Sequence, residues 1–246
     1  MLMGKDTKKV SGTIDGRETS VPRGSILLRA ALDLGIGVPT LCHHPGLPPD
    51  GNCRLCSAET GGRLVASCLY PLRDDGFVVQ TRSPLVVEAR RFVLGLLLSR
   101  APADGYLLGL AGEYGAKADP RLADGADGCV RCGRCLRACR AAGSEAIALV
   151  GRGWGRKVAG PFYEPPIDCV GCLACAQACP TGAIAFSEEP RSIWGRDFGL
   201  ARCGSCGAIL GTPGELARSG VEVTLCPSCR RREYSRAVAS LPPAQS

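Results

Sequence analysis

The chain has 246 residues, a formal charge of +7, and 45% hydrophobic but only 5% aromatic residues, so its cores must be built from Leu, Val, Ile and Ala. Gly (33) and Pro (18) are abundant enough to favour many turns over one large regular core. Sixteen Cys leave disulfides or metals as explanations; the opening Met1-Leu2-Met3-Gly4-Lys5 has no apolar signal region, and the longest nearly apolar run, Phe92 to Leu98, is too short to span a bilayer. A cytoplasmic, metal-binding chain is therefore expected rather than a secreted disulfide scaffold.

In chain order, Lys9–Ile14 alternates weakly, Asp15-Gly16 is a hairpin turn signal, and Glu18–Val21 returns as a second strand. Ser25 is placed to cap a helix with apolar residues Ile26, Leu27, Ala30, Ala31 and Leu34, which Gly35 and Gly37 end. Further strands are expected at Leu55–Glu59, Arg63–Ser67 and Phe77–Thr81. Ser83-Pro84 starts a helix over residues 83–100, and a connector follows with one short helix at Leu107–Ala111. Two dense cysteine runs come next, with apolar stretches Ala146–Val150 and Ala183–Phe186 behind them. The last four cysteines lie between 203 and 229, and the tail from Ala237 is expected to fray.

The cysteines fall into four quartets. The first is Cys42, Cys53, Cys56 and Cys68, spaced C-x10-C-x2-C-x11-C. Four thiolates converging from loops suit a [2Fe–2S] cluster, with a four-cysteine zinc site as the alternative. His43 and His44, the two histidines of the chain, both flank one cysteine, so they cannot supply the separate ligand loops of a Rieske centre and are expected to pack or hydrogen-bond beside the site. The second and third quartets, Cys129, Cys132, Cys135, Cys139 and Cys169, Cys172, Cys175, Cys179, each read C-x2-C-x2-C-x3-C, and Pro180 follows the second run. In this pattern three close thiolates wrap one [4Fe–4S] cubane while the fourth reaches the other. The expected sets are therefore Cys129, Cys132, Cys135 with Cys179, and Cys169, Cys172, Cys175 with Cys139. The fourth quartet, Cys203, Cys206, Cys226 and Cys229, is two CxxC knuckles nineteen residues apart and suits one structural Zn²⁺, with rubredoxin-type iron or a further cluster as alternatives.

Several segments resemble a known family. Pro39-Thr40-Leu41-Cys42-His43-His44-Pro45 and Gly51-Asn52-Cys53-Arg54-Leu55-Cys56 look like ligand loops of the large iron–sulfur subunit of respiratory complex I and of related hydrogenase and formate dehydrogenase diaphorase subunits. Cys132-Gly133-Arg134-Cys135-Leu136-Arg137-Ala138-Cys139 resembles the same group, whereas Cys179-Pro180-Thr181-Gly182-Ala183-Ile184 is similar to bacterial two-cluster ferredoxins. Arg134 and Arg137 either tune a cluster or solvate the surface. The likeness covers about residues 8–190. It implies an α+β chain with a β-grasp [2Fe–2S] ferredoxin domain (1–82), a helical connector (83–128) and a two-[4Fe–4S] bacterial ferredoxin domain (129–190), to which the knuckle spacing of the last quartet adds a zinc-ribbon-like module with its tail (191–246). The family carries one further [4Fe–4S] cluster on a histidine and three cysteines. Here Ala101, Gly105, Leu108 and Tyr114 stand at those positions, so that cluster is expected to be absent and its place filled by apolar side chains.

No Rossmann glycine motif, P-loop or nucleophile elbow is present, so no catalytic site is expected. The resemblance implies an electron-transfer subunit. It would pass single electrons between a flavin/NAD(H)-binding subunit and a hydrogenase, formate dehydrogenase or similar reductase. The competing reading is an iron–sulfur redox sensor or a zinc-ribbon protein associated with nucleic acid, favoured by the basic charge and by Arg230-Arg231-Arg232. Sixteen thiolates on one [2Fe–2S]²⁺, two [4Fe–4S]²⁺ and one Zn²⁺ would move the charge from +7 to about −1, which removes most of that support.

Overall fold

The computed structural model describes residues 8–122, 126–220 and 222–239. Strands β1 (Lys9–Ile14) and β2 (Arg17–Pro22) form the expected hairpin. Its turn residues Asp15 and Gly16 both take positive φ (48° and 76°), as a tight two-residue turn requires. The Asp15 carboxylate also accepts from the Thr81 amide (2.6 Å) and hydroxyl (2.5 Å), so one turn residue ties the hairpin to the chain just beyond residue 80.

Helix α1 (Leu27–Asp33) follows, then β3 (Ser57–Thr60), β4 (Arg63–Ala66) and β5 (Phe77–Gln80). The sheet order is β2-β1-β5-β3-β4, with β5 parallel to β1 and the other pairs antiparallel. Val10, Ile14, Leu27, Leu28, Ala31, Ala58 and Val79 close the core between this sheet and α1. Ser25 does not cap α1. Ile26 holds that position without a side-chain hydrogen bond, because the Ser25 hydroxyl donates to the Pro22 carbonyl instead (2.6 Å). The strand expected from Leu55 begins at Ser57, since Leu55 and Cys56 still belong to the loop that precedes it.

Helix α2 (Pro84–Arg100) starts as expected: the Ser83 hydroxyl accepts from the Val86 amide (3.3 Å), and Pro84 occupies the first turn, where no amide is needed. Helix α3 (Gly105–Tyr114) is longer than the sequence suggested. Asp104 caps it by accepting from the Leu107 amide (2.9 Å), and Gly115 ends it at φ 63°. An apolar cluster of Leu41, Leu55, Leu94, Leu98, Leu107 and Val130 lies between these helices and the cysteine loops on either side, and it includes Cys42 and Cys132.

The two cysteine runs lead into short helices α4 (Arg134–Ala141) and α5 (Ala174–Gln177), with the antiparallel pair β6 (Ala148–Val150) and β7 (Lys157–Ala159) between them. A three-stranded antiparallel meander, β8 (Phe186–Glu188), β9 (Arg191–Ile193) and β10 (Arg196–Phe198), covers this unit and was not expected from the sequence. Then come the pair β11 (Ala201–Arg202) and β12 (Ile209–Gly211), α6 (Pro213–Ser219) and α7 (Pro227–Ala239). Thr212 caps α6 through a reciprocal box with Glu215 and also donates to the Val170 carbonyl, joining the last module to the second cysteine run. Of the tail expected to fray, 237–239 lie in α7 and 240–246 lie outside the described residues. Among the described residues, no helix is long and apolar enough to cross a membrane.

Candidate metal centres

The first quartet assembles from three loops: Cys42 beyond α1, Cys53 and Cys56 before β3, and Cys68 after β4. Cys42, Cys56 and Cys68 are buried and Cys53 is half-buried. The Cys42 amide donates to Cys53 Sγ (3.3 Å). Hydrogen bonds from the Cys53 and Cys68 thiols draw Cys42 down to about 2, and the Cys68 thiol draws Cys56 to about 6. Cys53 and Cys68 are pushed up by sharing a proton with those partners and by burial. The four thiols thus form one linked, largely dry set. Gly51 (φ 65°) shapes the loop, for a Cβ there would meet Leu69 Cδ1 at 2.2 Å. His44 Nδ1 accepts from the Gly46 amide (3.1 Å), holding its own turn. The buried His43 Nδ1, next to Cys42, has no hydrogen-bond partner among the described residues and is available to a group bound there. The set therefore fits a cluster held by thiolates.

The paired runs cross over. A cavity of about 160 Å³ is lined by Cys129, Cys132 and Cys135 of the first run and by Cys179 and Pro180 of the second. That is roughly ten times the space one water needs, and its thiol lining fits an iron–sulfur group. Thr181 donates to the Gly128 carbonyl (2.7 Å) and lies 3.7 Å from Cys179 Sγ, fastening the two runs at the cavity mouth. On the other side, Cys139 lies among Cys169, Cys172 and Cys175. The Ala146 amide donates to Cys139 Sγ (3.3 Å) and the Trp194 indole to Cys175 Sγ (3.4 Å). Burial pushes Cys129, Cys132 and Cys175 up to about 11 and Cys135 to about 12. These thiols stay protonated until a metal supplies the compensating charge.

The last quartet is tighter. Cys203 and Cys206 lie in the turn between β11 and β12, and Cys226 and Cys229 at the start of α7. All four sulfurs lie within 4.8 Å of one another, and Cys206 and Cys226 are 3.7 Å apart. Four metal–sulfur bonds of about 2.3 Å give a tetrahedron with edges of about 3.8 Å. The spacing fits one tetrahedral ion. The Cys226 amide donates to Cys203 Sγ (3.3 Å) and lowers that thiol to about 6.

The segment expected to replace a cluster is only partly as anticipated. Ala101 and Tyr114 are buried, but Gly105 and Leu108 lie on the exposed side of α3, and Leu107 fills the interior instead. Helical spacing explains this: 107, 111 and 114 share one face, while 105 and 108 share another. Arg134 and Arg137 are not merely surface residues. Arg137 donates to the carbonyls of Cys42 and Pro48, and Arg134 to that of Leu41 (3.5 Å), so α4 grips the first ligand loop. Asn52 returns the contact by donating to the Arg131 carbonyl (2.7 Å). Sequence reasoning missed Arg90, fully buried behind Cys56; arginines at adjacent helix positions read as surface charge.

Residues 7–84 match the family model of a 2Fe-2S iron-sulfur cluster binding domain, and residues 128–183 that of a 4Fe-4S dicluster domain. The chain is 39% identical over 107 residues to the mitochondrial NADH-ubiquinone oxidoreductase 78 kDa subunit of Neurospora crassa, covering 43% of this chain and 14% of that one. It is 32% identical over 251 residues to NADP-reducing hydrogenase subunit HndD of Solidesulfovibrio fructosivorans, covering 87% of this chain and 42% of the relative. The chain thus spans less than half the length of either relative. A chain of the NAD⁺-reducing [NiFe]-hydrogenase crystal structure in the H₂-reduced state aligns with TM-score 0.53 and 26% identity over 81% of this chain and 86% of that one. The sulfur geometry, the two domain matches and these relatives converge: this is an iron–sulfur chain homologous to iron–sulfur subunits of NADH-quinone oxidoreductases and of NAD-reducing hydrogenases.

Proposed function

We propose that this chain is an electron-transfer subunit of a multi-subunit oxidoreductase. Its neighbours would be a flavin/NAD(H)-binding subunit and a hydrogenase, formate dehydrogenase or similar reductase. The observation that carries the reading is the continuity of the thiol sites: Cys42 of the first quartet and Cys132 of the first run border the same apolar cluster. Cys42, Cys53, Cys56 and Cys68 would hold one [2Fe–2S] cluster. Cys129, Cys132, Cys135 with Cys179, and Cys169, Cys172, Cys175 with Cys139, would hold two [4Fe–4S] clusters, and Cys203, Cys206, Cys226 and Cys229 one zinc. When bound, the clusters supply one-electron chemistry. The chain's own residues do the rest. Leu41, Leu55, Leu107 and Val130 exclude water between the first two sites, and Arg134 and Arg137 fix their separation by gripping the Cys42 loop. The division we propose is 1–82, 83–128, 129–190 and 191–246. The zinc module acts structurally: its four ligands close the coordination shell and leave no open position.

The test is anaerobic purification from the native host with metal analysis and identification of bound chains. About ten iron and one zinc per chain are expected, together with a flavoprotein subunit. Purification as a chain that binds nucleic acid with salt-dependent affinity and brings down no redox subunit would overturn the reading.

A further inference from the structure

Arg90 is completely buried on α2. Its Nε donates to the Leu55 carbonyl (3.1 Å), its Nη2 to the Ser57 carbonyl (2.8 Å), and its Nη1 to the Tyr114 hydroxyl (2.7 Å). The guanidinium also lies 5.5 Å from the centre of the Tyr114 ring. All three acceptors are neutral, and among the described residues no carboxylate bonds this cation. A dry, uncompensated charge is costly and persists where something else balances it. The carbonyls it binds, those of Leu55 and Ser57, flank Cys56, which places the cation against the backbone of a member of the first quartet.

We propose that Arg90 is the internal counter-charge of the [2Fe–2S] site and raises its reduction potential, with Tyr114 as its positioning residue. This rests on the reading of Cys42, Cys53, Cys56 and Cys68 as cluster ligands. Four thiolates around two ferric ions and two sulfides carry a net charge of −2, which becomes −3 on reduction. A fixed positive charge stabilises the more negative form, and does so strongly in a dry interior. Tyr114 fixes the guanidinium through its hydroxyl and ring, and its own carbonyl accepts from Arg91 Nε (3.2 Å). Tyr114 is also one of the positions where the resembled family would carry a ligand of a further cluster. The segment lacking those ligands supplies the residue that holds the charge.

The test is an anaerobic redox titration of the full chain, followed by the EPR signal of the reduced [2Fe–2S] cluster. Arg90→Gln is expected to shift the midpoint to more negative potential, and Arg90→Lys to restore most of the shift. Tyr114→Glu, which sets a carboxylate against the guanidinium, is expected to lower the midpoint relative to the neutral Tyr114→Gln; this pair decides the matter should Arg90→Gln fail to fold. Equal midpoints in Arg90→Gln and the unaltered chain at full signal, or in the two Tyr114 variants, would overturn the proposal. Absence of any [2Fe–2S] signal from the unaltered chain would instead overturn the ligand reading beneath it.

Discussion

Replacing Leu107 with Ala tests the apolar packing between the first two thiol sites. Leu107 is 0% exposed and lies among Leu41, Leu55, Leu94, Leu97 and Val130, while its neighbour Leu108 is 49% exposed. Truncation removes buried methyl groups and leaves a cavity whose walls are α2, α3 and two ligand loops. Little collapse is possible there, so the cost is about 2–4 kcal/mol. For a chain of this size each kcal/mol shifts the melting temperature by about 2–4 °C, which gives a fall of roughly 4–16 °C. Leu108→Ala, on the wet side of the same helix, should stay within about 0.5 kcal/mol. The assay is anaerobic thermal unfolding of the metal-loaded chain, followed by visible absorbance. A Leu108 variant as destabilised as the Leu107 variant would refute the facing of α3 and the dry seam built on it.

Cys179→Ala should empty the site of the run fifty residues upstream, lowering iron by about four per chain and sparing the centre at Cys169, Cys172 and Cys175; loss of that centre instead would refute the crossover. Cys206→Ser should reduce bound zinc from about one per chain to none with iron unchanged, as measured by elemental analysis, and parallel loss of iron would refute an independent structural site. Arg137→Ala removes charged donors from the carbonyls of Cys42 and Pro48 and should cost about 1.5–3 kcal/mol in urea unfolding. The exposed Arg140–Glu145 pair provides the control, with Arg140→Ala expected to cost less than about 1 kcal/mol. Equal costs would refute the grip of α4 on the first ligand loop.

The gathering of Cys179 beside Cys129, Cys132 and Cys135 was legible because thiols two or three residues apart converge on one point and leave a fourth place for the other run. Ser83-Pro84 was legible as a helix start because a hydroxyl followed by a ring without an amide satisfies the first turn locally. Ser25 carried the same signal and failed, since the Pro22 carbonyl takes its hydroxyl. Helix α3 was underestimated because Gly105, Gly109 and Gly112 argue against helix, while the Asp104 cap and the packing against α2 outweigh them. The meander β8–β10 was missed because each strand is three residues long and none alternates over enough positions to be read. Arg90 was illegible in principle: its burial depends on carbonyls some thirty residues away, which no local pattern encodes.

The exchange of one thiol between the two cysteine runs has a consequence for how the chain matures. On the proposed ligand sets, neither run could finish a centre by itself, because each would borrow its fourth sulfur from the other. While the polypeptide is being made, the first three thiols would wait for their fourth partner until Cys179 has emerged. Once in place, two such centres would tie the intervening segments like crossed staples, each closing a long loop and removing conformational freedom from the unfolded chain. Oxidative stripping of one centre would then leave a free thiol beside the other, which keeps all four of its own ligands.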